Sequence, residues 1–79
     1  MVPVEFKHMK FPVIIEKGHD GYYVAECTIF TGCYTQGTTI DEALKNIREV
    51  IELCLEEEEN QERARSIKIE DFAFHAVSL

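Results

Sequence analysis

The absences in this chain limit its chemistry first. Basic residues are scarce: eight Lys and Arg face fifteen Asp and Glu, for a net charge of −7. With no Lys/Arg cluster to release counterions, and a field that repels phosphate, direct nucleic-acid binding is not expected. Cys27, Cys33 and Cys54 are odd in number and contain no CxxC pair, which argues against a disulfide framework and a zinc site. Nowhere do eighteen apolar residues follow one another, and the opening Met-Val-Pro-Val-Glu-Phe-Lys-His lacks the apolar run of a signal peptide. No membrane association is expected, and the expected location is cytoplasmic with reduced thiols. Neither Gly32 nor Gly37 is followed by lysine and the GxGxxG pattern is missing, so no phosphate loop is read. Repeats and low-complexity linkers are absent too. No cofactor and no metal are expected.

What is present suits one small folded unit spanning residues 1–79. Apolar residues make up 46% of the chain, enough for a core and too much for a disordered chain. A chain this short buries a modest share of its surface. A small sheet also leaves open edges, and pairing an edge with another chain removes that liability. A homodimer or higher homo-oligomer is therefore expected.

Phe11, Val13 and Ile15 alternate with Pro12, Ile14 and Glu16, as in a strand with one deeper face. Pro12 cannot donate to a ladder, which places this strand at an edge or starts it nearby. Val2, Val4 and Phe6 alternate as well, so the strand is allowed an earlier start. Gly18-His19-Asp20-Gly21 reads as a turn, with Asp20 able to bond nearby backbone. Tyr22 to Cys27 is rich in strand formers and completes a hairpin. Thr28 to Gly32 is a connection, Cys33 to Gln36 a third strand, and Gly37 ends it.

Thr39 and Glu42 then fit a capping box, and Asp41 and Glu42 favour the positive end of a helix dipole. Ile40, Ala43, Leu44, Ile47, Val50, Ile51, Cys54 and Leu55 recur at helical spacing and form one apolar stripe. Glu56, Glu57, Glu58 and Glu59 oppose the dipole at a helix C-terminus, so the helix is expected to fray there, with Asn60 as a stop. Arg63, Arg65 and Lys68 follow as neutralising charges. Ile67, Ile69 and the run from Phe72 to Leu79 predict one or two closing strands, with Phe72, Phe74 and Ala76 on one face. The fold class is α+β: three antiparallel strands, one amphipathic helix, then the closing strand or pair.

Enzymatic readings find little support. Cys33 follows a loop glycine and His8, His19 and His75 are available, but no spacing pairs a thiol with a base, and free cysteine is usually a packed thiol. Glu16, Glu42 or Glu49, and Asp71 are the carboxylates that a magnesium-dependent nuclease would need. Glu42 is explained by the cap and Glu49 by a solvated helix face. The acidic face itself, with Glu49, Glu52, Glu56, Glu57, Glu58 and Glu59, reads either as solvated surface with weak Lys45–Glu49 and Arg48–Glu52 pairs or as a docking surface for a basic protein. The concentration at residues 56–59 costs helix stability and favours docking.

Four segments carry a family resemblance: Lys10-Phe11-Pro12-Val13-Ile14-Ile15-Glu16-Lys17, Asp20-Gly21-Tyr22-Tyr23-Val24-Ala25, Gly32-Cys33-Tyr34-Thr35-Gln36-Gly37 and Glu42-Ala43-Leu44-Lys45-Asn46. In this order they resemble the HicB-type antitoxin family from about residue 10 to 58. The resemblance implies a three-stranded sheet, a helix and a closing strand or pair, in a partial RNase H-like or dsRBD-like arrangement. Asp20, Gly21, Gly32, Cys33, Gly37, Thr39 and Glu42 are then motif and structural positions. It also implies a non-enzymatic antitoxin that binds a small basic HicA-type toxin, an mRNA interferase, and blocks its catalytic histidine. An orphan homo-oligomeric interaction or ligand-binding domain of the same fold is the alternative, and the magnesium nuclease a second one. Two departures stand out. Thr28-Ile29-Phe30-Thr31-Gly32 replaces the family's frequent Asp-Leu-Pro-Gly-type loop. The strand-like ending at Leu79 also leaves no expected room for a C-terminal DNA-binding domain.

Overall fold

The computed structural model describes residues 2–79. Its order is a short 3-10 turn at Val4–Phe6, then strands β1 (Val13–Lys17), β2 (Tyr23–Cys27) and β3 (Tyr34–Gly37). Two helices follow, α1 (Ile40–Cys54) and α2 (Glu58–Arg65), with a second 3-10 turn at Ile69–Asp71. The strands form one antiparallel sheet in the order β1-β2-β3. Ile15 faces Ala25 across the first pair, and Ala25 faces Thr35 across the second.

Alternation along the strands sends Ala25, Cys27 and Cys33 to the inner face, where they are fully buried. Ile14, Glu16, Glu26, Tyr34 and Gln36 point outward and are exposed. α1 lies across the inner faces of β3 and β2. Its stripe supplies Ala43, Ile47 and Ile51 to the core, with Leu55 just beyond, while Ile40 and Leu44 at its start stay exposed. Burying four such side chains is the main stabilising term of this half, at roughly 1.5–3 kcal/mol for each large one.

The hairpin turn forms as its residue types require. Asp20 Oδ1 accepts the Tyr22 N–H at 3.0 Å, and Gly21 takes φ +88°, a conformation open to glycine. Pro12 lies just outside β1, which is an edge strand as its missing donor requires. Gly37 serves a purpose other than turning. Its φ is ordinary, but a Cβ there would sit 2.5 Å from the Ala43 backbone nitrogen, so the absent side chain lets α1 approach the sheet. The helix starts at its cap: Thr39 Oγ1 accepts the Glu42 N–H at 3.0 Å. The Glu42 carboxylate returns one residue further out than a standard box, accepting from Thr38 N at 2.9 Å and Thr38 Oγ1 at 3.2 Å.

Three expectations give way. The alternation at Val2, Val4 and Phe6 is not an extension of β1: Pro3 caps a 3-10 turn closed by Phe6 N–H to Pro3 O at 3.0 Å, and Phe6 folds into the core. Glu56 to Glu59 do not fray the end of one helix. α1 stops at Cys54, and Glu58 and Glu59 occupy the first turn of α2, where their charge favours the dipole. Asn60 accordingly belongs to α2, and its Nδ2 donates to Cys54 O at 2.8 Å, satisfying a carbonyl at the end of α1. Finally, the predicted closing strands are absent from the described residues. Ala64 of α2 fills the core, Ile67 packs against it, and residues 72–79 extend without regular structure. A strand pattern needs a partner ladder, and residues 72–79 pair with neither edge of the sheet.

Candidate functional site

The connection at 28–32 is more than a link. Ile29 and Phe30 turn inward and are buried, and Phe30 meets Phe11 with ring centroids 6.1 Å apart. Gly32 takes φ +73° to bring the chain back, and Cys27 N–H bonds Cys33 O at 2.9 Å. α2 holds this loop from outside, through Arg63 Nε donating to Ile29 O at 3.1 Å. Between them lies an open cleft of about 720 Å³, whose lining includes Glu26, Glu59, Glu62, Arg63, Thr28 and Thr31. Its carboxylates come from three places: the outer face of β2, the first turn of α2 and its second.

The acidic residues named from the sequence surround this cleft only in part. Glu59 lines it, and Glu58 shares its turn. Glu57 caps α2 by backbone position and lies 3.4 Å from Asn60 Nδ2. Glu56 lies in the junction between the helices, while Glu49 and Glu52 sit on the exposed side of α1. Arg48 Nε lies 3.8 Å from Glu52 Oε1, both largely exposed, a pair worth little in water. The expected neutralisation by Arg63 and Arg65 is only partial. Arg63 is taken by the loop carbonyl, and Arg65 binds Glu5 through Nε (2.9 Å) and Nη2 (2.6 Å) while covering the Phe6 ring. That guanidinium holds the Glu5 carboxyl below the ordinary range and is itself held above its own. Carboxylates still outnumber cations in the lining of the cleft.

Glu26 and Glu62 were not singled out from the sequence. Glu26 is one outward residue of a strand, and Glu62 joins Glu59, Arg63 and Ser66 only once a helix spaces them at i, i+3, i+4 and i+7. Without α2 no periodicity connects them to the loop.

Elsewhere the chemistry is quiet. Cys27 and Cys33 are buried beside half-buried Cys54. Burial, and then its neighbour thiols, push Cys33 up to about 12, and burial also raises Cys27. A thiol held protonated is a poor nucleophile. His8 and His19 lie in exposed connections, and His75 lies in the extended tail rather than in a strand. Glu16, Glu42, Glu49 and Asp71 are not gathered: among the described residues no group of three or more His, Cys, Asp or Glu is placed to hold a metal. Among those residues, too, no helix is long and apolar enough to cross a membrane.

Comparison with known proteins agrees with the motif order. Residues 11–76 match the model of a family described as HicB-like antitoxin of bacterial toxin-antitoxin systems. A UPF0150 protein of Synechocystis is 51% identical over 77% of this chain and 88% of its own. UPF0150 proteins of Archaeoglobus fulgidus and Thermoplasma acidophilum are each 42% identical, over 78% and 86% of this chain and 90% and 100% of their own. No solved structure matches.

Proposed function

The chain belongs to the HicB-like antitoxin family, and from that premise we propose that it is a non-enzymatic antitoxin, working in the cytoplasm as one 1–79 unit, that neutralises a small basic toxin of the HicA type. The observation that carries this reading is the cleft between loop 28–32 and α2. There Glu26, Glu59 and Glu62 converge around the guanidinium of Arg63, so that three carboxylates face one cation in the lining. A surface of this sign steers a basic protein toward it and discriminates against acidic partners. It equally repels RNA, so the antitoxin acts on the enzyme rather than competing for the transcript. Glu49 and Glu52 extend the same field along α1. The unpaired edges of a three-stranded sheet fit a homodimer.

The test is co-expression with a small basic open reading frame encoded beside this one. The toxin alone should arrest growth, this chain should restore it, and the two should co-purify. A neighbour that is harmless alone and does not co-purify would favour the alternative, an orphan interaction domain of the same fold.

A further inference from the structure

Two unpartnered features of this chain complement each other. The first is the outer edge of β1. Gly18 N–H bonds Tyr22 O at 2.8 Å, and the alternation of an antiparallel ladder then turns the backbone groups of Val13, Ile15 and Lys17 away from β2 into the open. Beside that edge, between the N-terminal segment and α1, runs an apolar groove of about 500 Å³. Met9, Phe11, Val13, Leu44 and Ile51 line it, with Lys7, Arg48 and Glu52 as its charged groups.

The second feature is the stretch 72–79. Phe74 and Val77 are 85% and 83% exposed, in a segment without regular structure that starts from an extended Phe72 (φ −105°, ψ 141°). The sequence of this stretch alternates as a strand does, with Phe72, Phe74 and Ala76 on one side and Val77 and Leu79 on the other. The radius of gyration is 13.5 Å for the 79-residue chain, against about 12 Å for a chain of this length folded wholly onto itself. Glu70 and Asp71 lead into the tail, opposite in sign to Lys7 on the groove, where Arg48 already pairs with Glu52 at 3.8 Å.

We propose that residues 72–79 of one copy add a strand to the β1 edge of a second copy, and that the exchange is reciprocal. The tail then gains the ladder its sequence calls for, and the edge loses its exposed donors and acceptors. Phe72, Phe74 and Ala76 enter the partner's groove, and Val77 and Leu79 lie beside the outward Ile14. Eight residues extended reach roughly 26 Å, more than the roughly 17 Å of a five-residue strand. A twofold exchange uses each feature once and closes the assembly. This deepens the homodimer reading above and rests on it, independently of any toxin.

Sedimentation equilibrium on the full chain separates the possibilities. The unmodified chain should sediment as a dimer. Phe74→Asp should weaken self-association by on the order of thirtyfold or more, with an unchanged circular dichroism spectrum, since Phe74 is 85% exposed in its own copy. A monomeric unmodified chain would overturn both the dimer and the exchange. A dimer indifferent to Phe74→Asp would overturn the exchange alone. Isotope-filtered NOE spectroscopy on an equal mixture of labelled and unlabelled chains provides the independent check. Contacts between the Phe74 ring and the Val13 or Leu44 methyls should cross from one chain to the other. If those contacts appear only within a chain, or not at all, the exchange is wrong.

Discussion

The stretch from β1 to the end of α1 and the stretch after it are built by different logic. In residues 13–54 each local preference agrees with its neighbours: the hairpin turn, the cap and the apolar stripe all lead to the same packing. In residues 55–79 they disagree. Four consecutive glutamates look like a helix end but start a new helix, and a strand-like tail has no ladder in its own copy. The first stretch encodes most of the scaffold, to which Phe6, Leu55 and Ala64 add core side chains. The second carries an acidic surface and an exposed apolar tail, the two places where the proposed partners would dock.

Substitutions should separate these halves sharply. Ile47 is among the largest fully buried side chains, so Ile47→Ala should destabilise the chain by about 3 kcal/mol, read from urea unfolding. A loss under about 1 kcal/mol would mean that the scaffold is not self-contained. Gly37→Ala forces a Cβ against the Ala43 backbone and should cost about 2 kcal/mol by the same measurement. Were the cost no greater than that of a surface alanine, the close approach of α1 to β3 would be wrong.

The divide also explains what could be read in advance. Asp20, Thr39, Glu42 and the stripe through Ile47 and Ile51 act within a few residues of themselves, and their spacing fixed the hairpin and α1 correctly. Gly37 was identified as a structural position, but its reason lies in Ala43, on another element, and no local rule supplies it. Glu26 and Glu62 are not legible as a pair in the sequence because α2 brings them together, and α2 has almost no apolar stripe beyond Ala64. The closing strands were misplaced since alternation reports a side-chain pattern, not the presence of a free edge to receive it.

At the junction of the halves, Asn60→Ala removes the bond to Cys54 O and should cost about 1 kcal/mol in urea unfolding. Hydrogen exchange should quicken in the last turn of α1 more than in β2. Uniform quickening would show that the junction is not a local hinge between the stretches. The smallest effect is expected at the Glu5–Arg65 pair, which ties the end of α2 to the N-terminal turn. Glu5 titrates below the ordinary carboxylate range because Arg65 bonds it. The pair's contribution is thus present above that range and is lost as pH falls through the lowered Glu5 value. Arg65→Gln should lower the melting temperature slightly at pH 7 and leave it unchanged near pH 2, which flattens the acid limb between about pH 5 and 2. An unchanged acid limb would contradict that linkage.

The central claim is that the carboxylates around loop 28–32 and α2 meet a basic toxin, and affinity measured against salt tests it most directly. Isothermal titration of the cognate toxin should give binding that weakens steeply as ionic strength rises. The double variant Glu59→Lys, Glu62→Lys should weaken it by at least roughly tenfold at low salt and flatten the salt dependence. Tight binding that ignores both salt and this charge reversal would contradict the account.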